Sequence, residues 1–234
     1  MKRRIDSLIT KNKIKSYDEY IEAIKSDKKM LDDFVTYLTI NVSEFYRNPE
    51  QWKLLENEIL PYLFERFGNN LKIWSAACST GDEPYTLVML LSKFIPLNKI
   101  KVIATDLDRV VLEKAHIGLY DEKSLKGLPK EYITKYFTKV GTKSYQISDD
   151  IKKCVEFKQH NLLKDTYPSD CNMIICRNVM IYFTEEAKAE IYKKFNASLK
   201  SDGILFVGST EQIISPGDSG FSTYKSFFYK KAAR

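Results

Sequence analysis

The sequence predicts an α/β protein: a mostly parallel sheet with helices on both faces, preceded by a short helical segment. Three observations lead there. Apolar residues recur at helical spacing through the first 66 residues, short apolar runs and helical segments alternate after residue 70, and only the stretch between Tyr136 and Val155 interrupts that alternation.

The helices come first. Ser16-Tyr17-Asp18-Glu19 has the form of a capping box, and Tyr20, Ile21 and Ile24 follow on one helical face. Asn48-Pro49-Glu50 offers a capping residue ahead of a proline at the first helical position. Trp52, Leu55, Ile59, Leu60 and Leu63 then make one apolar stripe, and Gly68-Asn69-Asn70 ends the helix.

The alternating part begins with a strand over 71–76, a loop, and a helix over 85–94. A second strand over 101–105 runs into Asp106 and a helix around 109–115. Further strands are expected over 155–158, 173–176, 204–207 and 226–230. Between the middle two lies a helix capped by Thr184, with Glu185 and Glu186 in its positive first turn. Gly141-Thr142 and Asp149-Asp150 bracket a strand-like run at 143–148, read as a small antiparallel excursion. In open parallel sheets ligands sit beyond the carboxyl ends of the strands, so the residues just after each strand are the candidates for chemistry.

Composition narrows the classes. The chain has 234 residues, 44% of them hydrophobic, enough for one medium domain with a small appendage. No apolar run approaches the roughly 18 residues that span a bilayer, and residues 1–30 lack the apolar core of a signal peptide, so a soluble, cytoplasmic protein is expected. Cys78, Cys154, Cys171 and Cys176 form no Cys-x-x-Cys pair and have no His cluster beside them, which predicts buried reduced thiols and no metal site. The net charge is +6, much of it early, in Lys2, Arg3, Arg4, Lys11, Lys13 and Lys15, opposed there by Asp6. Nucleic acid, a membrane surface and acidic protein helices all suit such a charge, and a solvated helix face suits it equally. The later Lys193, Lys194 and Lys200 read as solvated surface.

Four segments at strand ends carry possible chemistry. Ser75-Ala76-Ala77-Cys78-Ser79-Thr80-Gly81-Asp82-Glu83-Pro84 puts small residues and a glycine at a strand-to-helix junction, where a ligand can approach the backbone, although an ordinary tight turn has the same features. Asp106 lies 25 positions past Gly81, where an acidic residue commonly holds ribose hydroxyls, while Asp108 is the better cap for the next helix. Asn161 and Leu162, in His160-Asn161-Leu162-Leu163, offer an amide and an apolar side chain that could frame an adenine. Arg177-Asn178 follows a buried strand, a costly place for such a pair unless it binds something, since a charge leaving water must be compensated. His160 and His116 receive no role. Neither a P-loop nor the Asn/Asp-Pro-Pro-Tyr/Phe or Pro-Cys signature of base-methylating enzymes occurs, which weighs against a nucleotide triphosphatase and a DNA-base methyltransferase. Asn41, Ser43 and Arg47, in Thr39-Ile40-Asn41-Val42-Ser43-Glu44-Phe45-Tyr46-Arg47-Asn48, share a helix face poorly and suit a loop folded over a ligand.

Together these segments resemble the chemotaxis receptor glutamate O-methyltransferases, the CheR family. The family's runs are close to Asn-x-Thr-x-Phe-Phe-Arg, Ser-Ala-Ala-x-Ser-Thr-Gly-Glu-Glu-Pro-Tyr, Asp-Ile/Leu-Asp, Asn-Leu-Leu and Cys-Arg-Asn-Val-x-Ile-Tyr-Phe. Here they stand, in family order, at residues 41–47, 75–85, 106–108, 161–163 and 176–183, followed by Gly208-Ser209-Thr210-Glu211. Ser43, Tyr46 and Asp82 depart from the usual Thr, Phe and Glu while keeping a hydroxyl, a ring and a carboxylate.

The resemblance implies a Rossmann-like class I methyltransferase sheet using S-adenosylmethionine and releasing S-adenosylhomocysteine. It implies cofactor binding by Asn41, Ser43, Arg47, Glu83, Asp106, Asn161, Leu162, Arg177 and Asn178, with Arg47 and Tyr182 nearest the methyl-transfer centre. The implied acceptors are glutamate side chains of chemoreceptor cytoplasmic helices, with no nucleic-acid partner and no membrane insertion. Arg3, Arg4, Lys11, Lys13 and Lys15 would then dock the acidic receptor. The expected layout is an amino-terminal helical domain at 1–38, shorter than the family's usual one, and a methyltransferase domain at 39–234. The antiparallel insertion falls at about 137–154, and its small size resembles the members that work without a receptor tail peptide.

Overall fold

The computed structural model describes residues 2–38 and 43–232. Three short helices lead: α1 (Lys2–Lys11), α2 (Tyr17–Ser26) and α3 (Lys28–Leu38). Ser16 caps α2, its side chain accepting from the Glu19 N–H. Leu8 and Tyr20 are the buried side chains that join these helices, and Tyr20 meets Phe34 edge-on at 5.9 Å.

The next helix is one run over 49–67, made of α4 (Pro49–Leu54), a π turn (Leu55–Ile59) and α5 (Leu60–Phe67). The π turn has a local cause. Pro61 has no N–H, and its ring would crowd the carbonyl four residues back in a regular helix. Widening the turn moves that carbonyl away, and the Leu60 N–H reaches back five residues to Leu55 O. Trp52, Leu55, Ile59, Leu60 and Leu63 are all buried, so the stripe read from the sequence survives the irregularity. Asn48 does not cap this helix. It sits at φ 60° and makes no capping bond, because its Oδ1 is taken by Arg177.

Seven strands form the main sheet, in the order β6-β2-β1-β7-β8-β10-β9. They are β1 (Ile73–Ala76), β2 (Val102–Asp106), β6 (Val155–Gln159), β7 (Cys171–Cys176), β8 (Leu199–Val207), β9 (Phe221–Lys225) and β10 (Phe228–Lys231). All pairs are parallel except those made by β10, which runs against β8 and β9. Every residue of β1 and β7 is buried, as expected for strands covered on both faces. α6 (Asp82–Leu91), α7 (Arg109–Ile117) and α10 (Glu185–Ser198) supply that cover; Asp108 caps α7 and Thr184 caps α10. Trp74 fills one face, with its Nε1 donating to Thr105 Oγ1 at 2.9 Å and its ring edge-on to Tyr167 and Phe195.

The register fixes where a site can form. Ala76 is level with Thr105 and Cys176, Cys176 with Val207, and Asp106 with Gln159. The carboxyl ends of five parallel strands therefore lie along one rim, and the chain reverses direction through the sheet between β1 and β7. A crevice at such a switch point is the standard ligand position.

A separate three-stranded antiparallel sheet has the order β3-β5-β4, from β3 (Leu119–Asp121), β4 (Phe137–Val140) and β5 (Ser144–Ile147), with α8 (Lys130–Tyr136) between β3 and β4 and α9 (Asp149–Lys152) after β5. The excursion thus draws its third strand from ahead of α8. All four cysteines are free and buried. Among the described residues no helix is long and apolar enough to cross a membrane.

Candidate active site

A cavity of about 750 Å³ opens along the rim. Ser43, Arg47, Glu83, Asp106, Asn161, Leu162, Arg177, Asn178 and Tyr182 all line it. Asn41 lies outside the described residues. Residues from five separate segments are therefore brought together by the strand register.

The loop after β1 is shaped by backbone geometry. Ala77, Ser79 and Gly81 have φ of 67°, 49° and 89°, and the N–H groups of Cys78, Ser79 and Gly81 donate to Thr105 O, Asp106 Oδ2 and Cys78 O. Gly81 is required: a Cβ there would stand 3.0 Å from Ala115 Cβ and from Tyr85 Cε2. Asp106 Oδ2 accepts from Ser79 N at 2.8 Å and Oδ1 accepts from Asp108 N at 3.0 Å, so this carboxylate ties the loop to the end of β2. Burial pushes the Asp106 carboxyl up from the usual range, against the pull of those N–H donors. Asp82 is wholly buried and also pushed up by burial, with the Thr80 and Ser43 hydroxyls holding it back.

Glu83 sits at the first turn of α6. Ser75 Oγ donates to its Oε1 at 2.9 Å, and Arg177 Nη1 lies 3.4 Å from its Oε2. Burial raises the Glu83 carboxyl, with Arg177 opposing. Arg177 has a side chain only 2% exposed and compensates its charge within the protein. Its Nη2 donates to Arg47 O (3.0 Å), Asn48 Oδ1 (3.1 Å) and Gln51 Oε1 (2.8 Å). The guanidinium also lies over the rings of Phe206 (4.7 Å) and Trp52 (5.4 Å). It thus fastens the Arg47 loop to the end of β7.

That loop is anchored twice more. Phe45 is fully buried and meets Tyr120 at 4.7 Å and Phe137 at 5.3 Å, both from the small sheet. Trp52 Nε1 donates to Arg47 O at 2.9 Å. Ser43 and Arg47 are held half-buried at the cavity wall as a result. Tyr120 also reaches the cofactor-side loop, its hydroxyl donating to Thr80 O at 2.7 Å.

On the far side, Asn161 Oδ1 accepts from Leu163 N at 2.9 Å, a local turn that presents Leu162 and Leu163. His160, which the sequence left without a role, also lines the cavity, its Nε2 against Thr166 O at 3.2 Å. Tyr182 ends a single 3₁₀ turn (Met180–Tyr182) and is 39% exposed at the mouth. Sequence reasoning also passed over Ser79, Leu107 and Glu211. Leu107 and Ser79 were findable as neighbours of singled-out residues. Glu211 is buried next to the site, and its position just past a strand end was the available signal.

The residues suit S-adenosylmethionine. Ser79 Oγ and His160 Nδ1, on two residues lining the cavity, are buried without a protein partner. The lining combines the carboxylates of Glu83 and Asp106 with the apolar Leu107, Leu162 and Leu163, matching a cationic, hydroxyl-rich ligand with a flat apolar base.

This sheet order and rim cavity define the class: an S-adenosylmethionine-dependent methyltransferase of the Rossmann-like class I fold. Residues 41–227 match the family model described as CheR methyltransferase, SAM binding domain, and residues 1–39 match its all-alpha domain. The chain is 42% identical over 231 residues to a chemotaxis protein methyltransferase of Listeria monocytogenes, covering 99% of this chain and 88% of that one. It is 35% identical to one from Borreliella burgdorferi (90% and 78% covered) and 34% identical to chemotaxis protein methyltransferase 1 of Pseudomonas aeruginosa (90% and 80% covered). The chain belongs to the CheR methyltransferase family.

Proposed function

We propose that this enzyme methylates glutamate side chains on the cytoplasmic helices of chemoreceptors, yielding glutamate methyl esters, and so works in the cytoplasm. The observation that supports this most directly is that Arg47 and Tyr182, far apart in sequence, line the same cavity as Glu83 and Asp106. A positive side chain and a phenolic hydroxyl beside the cofactor's place suit an anionic acceptor.

The chemistry asks little of a base. A glutamate carboxylate has an ordinary pKa of about 4.3 and is ionised near neutral pH. Arg47 guides it in, and Tyr182 donates a hydrogen bond that aims one oxygen. Bound in the cavity, S-adenosylmethionine supplies a methyl group on a positively charged sulfur. Ser43, Glu83, Asp106, Asn161, Leu162, Arg177 and Asn178 would hold it. Glu83 and Asp106 provide the negative charge, Leu162 an apolar wall, and Arg177 acts through the Arg47 loop it fastens. Trp52, Val179 and Phe183 line the cavity with apolar surface that excludes water, where alignment of two reactants is worth effective molarities of about 10⁵ M or more.

Docking falls to the basic amino-terminal segment. Lys11, Lys13 and Lys15 are exposed and available to steer toward acidic helices, while the side chains of Arg3 and Arg4 lie outside the described residues. The test is transfer of labelled methyl to receptor cytoplasmic fragments. A base-labile product identifies a carboxyl ester. Arg47→Ala should abolish ester formation with the fold intact; near-normal turnover by that variant would refute the assignment.

A further inference from the structure

The loop that carries Asn178 and Tyr182 is built around one side chain to which the reaction gives no part. Glu211 is 6% exposed, just beyond β8. Its Oε2 accepts from Asn178 N at 2.6 Å and from Gly208 N at 3.1 Å, and its Oε1 accepts from Met180 N at 2.7 Å. Three backbone donors from the ends of adjacent strands thus converge on one carboxylate. The loop needs such a template. Asn178 sits at φ 60°, a conformation that is costly for a non-glycine residue unless its surroundings enforce it. The bond to Met180 N starts the short turn that ends in Tyr182. Gly208 makes room for the arrangement: a Cβ there would lie 2.6 Å from Glu211 Oε2 and 2.9 Å from Asn178 N.

We propose that Glu211 is a positioning residue that sets Asn178 toward the cofactor and Tyr182 toward the acceptor carboxylate in a single act. This rests on the roles given to those two residues above. The chemistry of the template is specific. A carboxylate accepts at both oxygens, whereas a glutamine amide has one accepting oxygen and turns an NH₂ donor toward the remaining N–H groups. Glu211→Gln keeps shape and loses the match, so one side of the clamp becomes repulsive, an effect of about 10- to 100-fold on whatever it aligns.

The experiment uses the full chain with receptor cytoplasmic fragments under single-turnover conditions at saturating cofactor, and calorimetry with S-adenosylhomocysteine. Glu211→Gln should slow transfer about 10- to 100-fold and weaken S-adenosylhomocysteine binding. Tyr182→Phe should slow transfer and leave that binding unchanged. Because part of the Glu211 effect on transfer runs through the Tyr182 hydroxyl, the double variant should be slower than either single one by clearly less than the product of the two losses. Wild-type rate and affinity in Glu211→Gln overturn the proposal, and so does a double variant whose losses multiply in full. If Tyr182→Phe transfers at the wild-type rate, the acceptor role of Tyr182 fails, and the Asn178 half is still read from the affinity of Glu211→Gln. If Glu211→Gln does not fold, Gly208→Ala displaces the same carboxylate without removing it. It should show the same loss of rate and affinity; wild-type behaviour there overturns the proposal.

Discussion

Arg177→Met should separate what holds this site together from what merely lines it. Methionine keeps most of the apolar contact with Phe206 and Trp52. It removes the cation 3.4 Å from the Glu83 carboxylate and the donor shared by Arg47 O, Asn48 Oδ1 and Gln51 Oε1. Breaking a buried pair by deleting one partner costs about 3–5 kcal/mol, out of the roughly 5–15 kcal/mol that keeps a domain folded. The urea-unfolding free energy of the variant should drop by that amount. The pH dependence gives an independent sign. Burial already raises the Glu83 carboxyl and Arg177 opposes the rise, so without Arg177 it climbs further. A carboxyl raised in the folded state favours folding most when protonated. The variant should therefore lose stability as pH rises from the unfolded value, about 4.3, through the raised folded one. Adding Glu83→Gln to Arg177→Met should remove that pH slope and recover part of the loss. An Arg177→Met protein within about 1 kcal/mol of the parent, with no added pH slope, would refute the reasoning.

Three further outcomes are expected. Burial raises Glu83 and Asp106 in the ligand-free protein, and a bound sulfonium and ammonium would favour their ionised forms. Cofactor uptake should therefore release protons and tighten as pH rises through the raised values; calorimetry in buffers of different ionisation heat reads this, and proton-neutral binding would contradict it. Gly81→Ala combines a φ of 89° with a Cβ about 3.0 Å from two side chains, so it should cost about 2–5 kcal/mol by thermal or urea unfolding. Receptor association should weaken with salt, and reversing Lys11, Lys13 and Lys15 to Glu should flatten that dependence, measured by binding at two ionic strengths.

The parallel core was legible because most of its strands contain an apolar run ending near a polar or small residue, and the register then carried Asp106, Asn161 and Arg177 to one rim. That Asp108 caps the next helix was also readable, since it stands immediately before it. What stayed hidden depends on partners distant in sequence. Asn48 looks like a cap until Arg177 claims its oxygen. Arg177 could be seen to need compensation, but not that the Arg47 loop supplies it. β3 and β9 are short and alternate weakly, so pairing with β5 and β10, rather than local pattern, makes them strands. Glu211 sits in a polar run whose meaning appears only once Asn178, Met180 and Gly208 surround it.

Tyr120 gives the small sheet a consequence for anyone reshaping this enzyme. Its hydroxyl props Thr80 and its ring seats Phe45, so one side chain from β3 braces both walls of the crevice. Trimming 118–147 to obtain a minimal catalyst would knock out two struts at once and strip Leu125, Leu128, Tyr132 and Tyr136 from the core, so both walls of the crevice would slacken together.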